Sequence, residues 1–120
     1  MDESTKDATP RNASKGAVRY LAPELIKDSN APQTEDSDTF SFGMLMLECI
    51  TKKRPFFDLS SDAAVIDARV VEGQYPPRSG GLGPEGRFPD RLWELTLCCW
   101  SIECERRPTM EWVHSFLSSN

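Results

Sequence analysis

The 120-residue sequence lacks most of what would mark it as a membrane, nucleic-acid, metal or secreted disulfide protein. No apolar run approaches the roughly 20 residues that a membrane-spanning helix needs, and the opening MDESTKDATPRNAS has no signal-peptide hydrophobic region. No membrane partner and a cytoplasmic setting are therefore the expectations. Lys and Arg form no block: the net charge is -5, and the nearest thing to a basic patch is Lys52, Lys53 and Arg54, read as partners for the last carbonyls of a helix. A nucleic-acid partner is not expected. The four cysteines, Cys49, Cys98, Cys99 and Cys104, contain no CxxC pair, and the only histidine, His114, sits in a separate segment. Reduced thiols and no metal site follow.

What is present is helical periodicity. Residues 1 to 15 are polar, with no hydrophobic period, and read as a flexible tail; the ordered unit is expected over 16–120. Pro23 in Ala22-Pro23-Glu24-Leu25-Ile26 suits the first turn of a short helix, where its missing N–H costs nothing. Asp28 to Asp36 reads as a polar loop, and the next helix is expected to start near Ser37 or Asp38. From Phe40 to Ile50, FSFGMLMLECI is apolar at nearly every position, which predicts a helix buried all round, with Gly43 admitting another backbone. After Lys53-Arg54-Pro55, Ser60 or Ser61 caps a helix with Ala63, Ile66 and Val70 on one face, closed by Gly73. A Gly- and Pro-rich loop over 74–89 leads to a helix capped by Asp90, with Leu92, Trp93, Leu95, Leu97, Cys99 and Trp100 buried. Thr109 caps a last helix with Val113, Phe116 and Leu117 on one face. The fold class is mainly α, with long loops and little or no sheet.

Three motifs carry a family resemblance. GAVRYLAPE, Gly16 to Glu24, resembles the end of a protein-kinase activation segment with its Ala-Pro-Glu signature. Asp38-Thr39-Phe40-Ser41-Phe42-Gly43 resembles the Asp-x-Trp-Ser-Phe-Gly start of the kinase F helix. Cys99-Trp100 followed by Arg106-Arg107-Pro108-Thr109 completes the set in the family's order. The resemblance is to a partial kinase C-lobe, from the end of the activation segment onward, with the helices named EF, F, G, H and I. It implies a structural ion pair between Glu24 and Arg107. It also implies a peptide-substrate platform at Gly16, Ala17, Arg19, Tyr20 and Pro23, and structural roles for Asp38 and Trp100, with Asp38 left here as a helix cap.

In this family ATP and Mg serve an intact kinase through a glycine-rich loop, a strand lysine, His-Arg-Asp and Asp-Phe-Gly. None can be placed in these 120 residues: His114 is followed by Ser115 and Phe116. Gly81-Leu82-Gly83-Pro84-Glu85-Gly86 satisfies GxGxxG, yet no strand precedes it, so it reads as loop. No catalytic or cofactor-binding residue is assigned, and no cofactor is expected for this chain. Ala17 stands where the family carries a threonine that contacts the catalytic aspartate. Arg19-Tyr20-Leu21 resembles serine/threonine enzymes, while Cys99-Trp100 resembles the tyrosine-kinase-like branch. Ser4, Thr5, Thr9 and Ser14 lie where activation-loop phosphosites fall, with Arg11 and Arg19 as candidate phosphate partners.

Two readings stay open: a fragment of a protein kinase, and a non-catalytic, pseudokinase-like interaction module. An unrelated helical binding domain would need all three motifs to be coincidence. The expected partners are protein, whether substrate peptide, the remaining kinase half or a scaffold. The all-apolar F helix predicts a bare flank and self-association.

Overall fold

The computed structural model describes residues 16–76, 78 and 88–119. The proposed tail, the candidate phosphosites, Arg11 and the GxGxxG stretch lie outside them. Five helices follow one another, and the described residues contain no strand: α1 (Pro23–Lys27), α2 (Glu35–Thr51), α3 (Asp62–Ile66), α4 (Asp90–Cys99) and α5 (Met110–Ser118). Among these residues no helix is long and apolar enough to cross a membrane.

Pro23 opens α1, and the Ala22 carbonyl accepts from the Leu25 and Ile26 amides, so the short helix buries Pro23, Leu25 and Ile26. α2 begins earlier than its apolar pattern suggests. Thr34 is its cap: the Ser37 amide donates to Thr34 Oγ1 (3.2 Å) and the Thr34 amide to Ser37 Oγ (2.8 Å), a capping box closed by serine. Asp38 is therefore not a cap. It lies in the exposed first turn, accepts from Gln33 Nε2 (3.3 Å), and with Glu35 and Asp36 complements the positive end of the helix dipole.

The axis helix is buried on most sides, but not all round. Phe40, Gly43, Met44, Met46, Leu47 and Ile50 face the core, whereas Leu45 is 51% exposed. Leu45, Glu48, Cys49 and Lys52, at helical spacing i, i+3, i+4 and i+7, line a shallow recess on the open flank. α2 packs chiefly on α4. The close approach at Gly43 comes from side chains of the α4 end and not from backbone. A Cβ there would lie 2.7 Å from Trp100 Nε1 and 3.0 Å from Cys99 Cβ. Beyond α2, Lys53 Nζ sits 4.4 Å from the Phe57 ring centre, so its charge is spent on an aromatic face and not on helix carbonyls.

α3 is capped by Ser61, whose Oγ accepts from the Ala64 amide (3.1 Å). It then widens into a π-helical turn, Asp67–Val71, closed by the Glu72 amide donating to the Asp67 carbonyl and by Gly73 at φ 64°. Its buried face is Val65, Ala68 and Arg69. Ala63 is exposed and Ile66 and Val70 are only half-buried, so the apolar-only face read from the sequence is off by the position an arginine occupies.

In α4, Pro89 takes the cap position and Asp90 is the first helical residue, its carboxylate paired with Arg78. Leu95, Cys99 and Trp100 are buried, and Leu92 and Trp93 partly so. Leu97 is exposed because α4 has core on one side only. Thr109 caps α5 through the Trp112 amide (3.0 Å); Val113 is buried and Phe116 packs on the core, while Leu117 faces outward. Cys49 and Cys98 are surface thiols and Cys99 a core thiol, which burial pushes up to about 12.

Candidate functional site

The segment Gly16–Pro23 is short, seats Val18, Ala22 and Pro23 in the core, and is fixed further by side chains arriving from three directions. Gly16, at φ 87°, turns the chain; its amide donates to Asp62 Oδ2 (3.0 Å) in the first turn of α3. A 3₁₀ turn over Ala17–Arg19 follows, with the Arg19 amide on the Gly16 carbonyl and the Tyr20 amide on the Ala17 carbonyl. From α2, Ser41 Oγ donates to the Tyr20 carbonyl (2.9 Å), and the Tyr20 hydroxyl donates to Glu48 Oε1 (2.5 Å). Burial first, and then this carboxylate neighbour, push the Tyr20 phenol up to about 12. From the π-helical turn, Arg69 Nη1 donates to the carbonyls of Val18 (2.9 Å) and Leu21 (2.5 Å).

Arg19 points the other way. It is 2% exposed, and its guanidinium donates to the carbonyls of Pro55 (3.0 Å), Phe56 (2.7 Å) and Leu59 (2.7 Å). Those three carbonyls belong to the turn after α2, where Phe56 adopts φ 58° and leaves acceptors pointing inward. Placed among the platform residues from the sequence, Arg19 is a structural residue by its geometry, and it is no more available to a phosphate than to a peptide. Ala17, half-exposed, presents only a methyl group at the outer side of the turn, and Pro23 is buried in α1.

The segment leads directly into Glu24, which the structure brings to Arg107 across 83 positions of sequence. Arg107 Nη1 and Nη2 donate to Glu24 Oε2 (2.8 Å) and Oε1 (2.9 Å), while Nε donates to the Ser101 carbonyl and Nη1 also to the Asp36 carbonyl. One guanidinium thus ties α1, the start of α2 and the α4–α5 connection. Its side chain is wholly buried, and that of Glu24 is 33% exposed. Burial alone would raise the Glu24 carboxyl, but the hydrogen bonds and charge of Arg107 outweigh it and hold it below the usual carboxylate range.

Arg107 and Arg69 meet at Phe40, whose ring centre lies 4.9 Å from one guanidinium carbon and 5.2 Å from the other. Tyr75 and Trp100 complete the cluster, their rings stacked at 5.6 Å, with the Tyr75 hydroxyl donating to the Trp100 carbonyl. Trp100 is thus a packing residue, wedged between Gly43, Tyr75 and Trp93. Four contributors carry no role in the sequence pattern: Ser41, Glu48, Asp62 and Arg69. Only Arg69 left a signal, as the polar residue at the i+4 position from Val65 on a helix face.

The family model for protein tyrosine and serine/threonine kinases matches residues 1–117. This chain belongs to the protein tyrosine and serine/threonine kinase family. The kinase relatives include human mitogen-activated protein kinase kinase kinase 7, 34% identical over 97 residues, a match covering 81% of this chain and 15% of that protein. A putative mitogen-activated protein kinase kinase kinase 7-like protein of Drosophila melanogaster is 31% identical over 105 residues, covering 85% and 25%. The human proto-oncogene tyrosine-protein kinase ROS is 33% identical over 100 residues, covering 83% and 4%. The chain therefore spans a quarter or less of the length of these kinases. Its five helices fit a partial kinase C-lobe, α1 to α5 standing as EF, F, G, H and I.

Proposed function

We propose that this chain supplies the substrate side of a protein-kinase domain: Gly16–Pro23 forms a peptide platform, braced by Glu24–Arg107, for ATP-dependent phosphorylation of protein serine or threonine in a tyrosine-kinase-like enzyme. The observation that carries it is that two side chains, Arg69 and Ser41, are committed to backbone carbonyls of this one segment, at Val18, Tyr20 and Leu21. A turn already anchored by the buried Val18 and Ala22 needs no such bracing to stay on the core. A surface that must present a fixed backbone to an extended peptide does.

The 120 residues hold none of the groups that neutralise a transferring phosphoryl. The purified polypeptide is therefore expected to show no saturable rise in melting temperature with Mg-ATP and no transfer to protein. A nucleotide-dependent stabilisation, which for tight binding would exceed roughly 2 kcal/mol at a hundredfold excess over Kd, would overturn this. The residue type phosphorylated is read by phosphoamino-acid analysis of whatever longer product carries an in-frame glycine-rich loop, His-Arg-Asp and Asp-Phe-Gly upstream of Met1. Phosphotyrosine as the major product would reject the serine/threonine assignment.

A second reading, a non-catalytic interaction module, draws on Ala17, which offers no hydroxyl to a catalytic aspartate. It also draws on the open flank of α2 at Leu45 and Cys49. Either reading predicts self-association of the 120-residue polypeptide through that flank. Light scattering should give a mass above 13.5 kDa that rises with concentration, and Leu45→Glu should return it toward the monomer. A monomer at all concentrations rejects the flank as an association surface.

A further inference from the structure

Arg69 is a buried guanidinium whose hydrogen bonds both go to the platform. It is 7% exposed, yet no carboxylate among the described residues is hydrogen-bonded to it; its bonds go from a single Nη1 to the Val18 and Leu21 carbonyls, on either side of the turn that holds Arg19 and Tyr20. Its planar face lies against Phe40, which fixes the fork from α2. It leaves α3 where the helix widens into the π-helical turn, a form that occurs mostly in single turns and frequently at functional sites. Burying a charge is costly even with the Glu24 carboxylate near enough to act on it through space, and packing alone would favour an apolar residue beside Val65 and Ala68. The charge is kept where two backbone carbonyls accept from it.

We infer that Arg69 is a positioning residue that sets the backbone of the peptide platform, clamping Val18 and Leu21 from α3 so that the intervening turn holds one conformation. This rests on the platform reading above. The carbonyls it holds can then point only inward, and what the turn presents outward is Ala17 and the Tyr20 edge. Glu24 and Arg107 fix where the platform ends; Arg69 fixes its shape.

The test is amide exchange on the 120-residue chain, read at the hydrogen-bonded amides of Arg19 and Tyr20 against that of Val113 in α5. Arg69→Met keeps the stem and removes the donors. It is expected to speed exchange at Arg19 and Tyr20 roughly tenfold relative to Val113, the change that losing charge-assisted hydrogen bonds predicts for local opening. Val65→Ala, a buried neighbour without a bond to the platform, should lower the melting temperature while leaving that ratio unchanged. If the two variants shift the ratio alike, Arg69 is only a core residue. Should Arg69→Met fail to fold, Arg69→Gln decides: its neutral amide ends two atoms short of Nη1, the nitrogen that serves both carbonyls, so the ratio should still rise, and an unchanged ratio overturns the inference. Because exchange is read without peptide, a failure of peptide binding would strike the platform reading and leave this result standing.

Discussion

Replacing Glu24 with glutamine is expected to destabilise the chain by about 3 kcal/mol, at the lower end of the cost of breaking a buried pair by removing one partner, and to lower the melting temperature by roughly 15 °C. The substitution keeps the shape but strands the charge of Arg107, whose side chain is wholly buried. Glutamine can accept one of the two guanidinium bonds and cannot neutralise it. Arg107→Met, which preserves packing against Phe40, should cost a similar amount for a different reason. Glu24, a third exposed, can regain water, but the Ser101 and Asp36 carbonyls lose their donor. The double variant should therefore fall short of the summed single costs by at least about 1 kcal/mol; additivity within about 0.5 kcal/mol would mean the two side chains do not act as a pair. The pH dependence has a definite sign. The Glu24 carboxyl is held below its unfolded value, so its contribution is complete above the unfolded carboxylate range and is lost as pH falls through the folded value. Denaturant unfolding from neutral pH into acid should show an acid limb that Glu24→Gln flattens.

Local chemistry made some of this architecture legible and tertiary packing hid the rest. Pro23 and Thr109 announce helix starts because their effect is confined to one turn. Thr34 does not: its partner in the cap is Ser37, and a serine three residues on is a weaker signal than the usual Glu or Gln. The Glu24–Arg107 contact came from family resemblance, since nothing in composition or period links residues 83 apart. Arg69 was missed because a helix face is read by its apolar members, and Arg19 was placed among the platform residues by family resemblance, which does not fix where its side chain points. Both are buried by the same device. The carbonyls of tight turns, three after α2 and two in the platform, supply the negative ends that carboxylates would otherwise provide. Arginine suits that task better than lysine, since its planar, weakly hydrated fork reaches several acceptors at once.

The largest single loss should come from Phe40→Ala, at about 4 to 5 kcal/mol. The ring is fully buried on the axis helix, and truncation removes its transfer energy, opens a cavity beside Trp100 and Tyr75, and strips both Arg69 and Arg107 of the aromatic face they lie against. Phe40→Leu separates these contributions. It refills most of the volume but offers no π face, so it should still cost about 1.5 kcal/mol, the part owed to two desolvated guanidinium–ring contacts and the imperfect fit. Urea unfolding of the three proteins measures both steps. A leucine variant as stable as the parent would show that the two cations gain nothing from the ring, and an alanine variant losing less than about 2 kcal/mol would show that the core does not close around it. The expected order, parent above leucine above alanine, follows from where Phe40 stands. Its ring lies against both the guanidinium that ends the platform and the guanidinium that shapes it, so its removal loosens the lobe and the platform together.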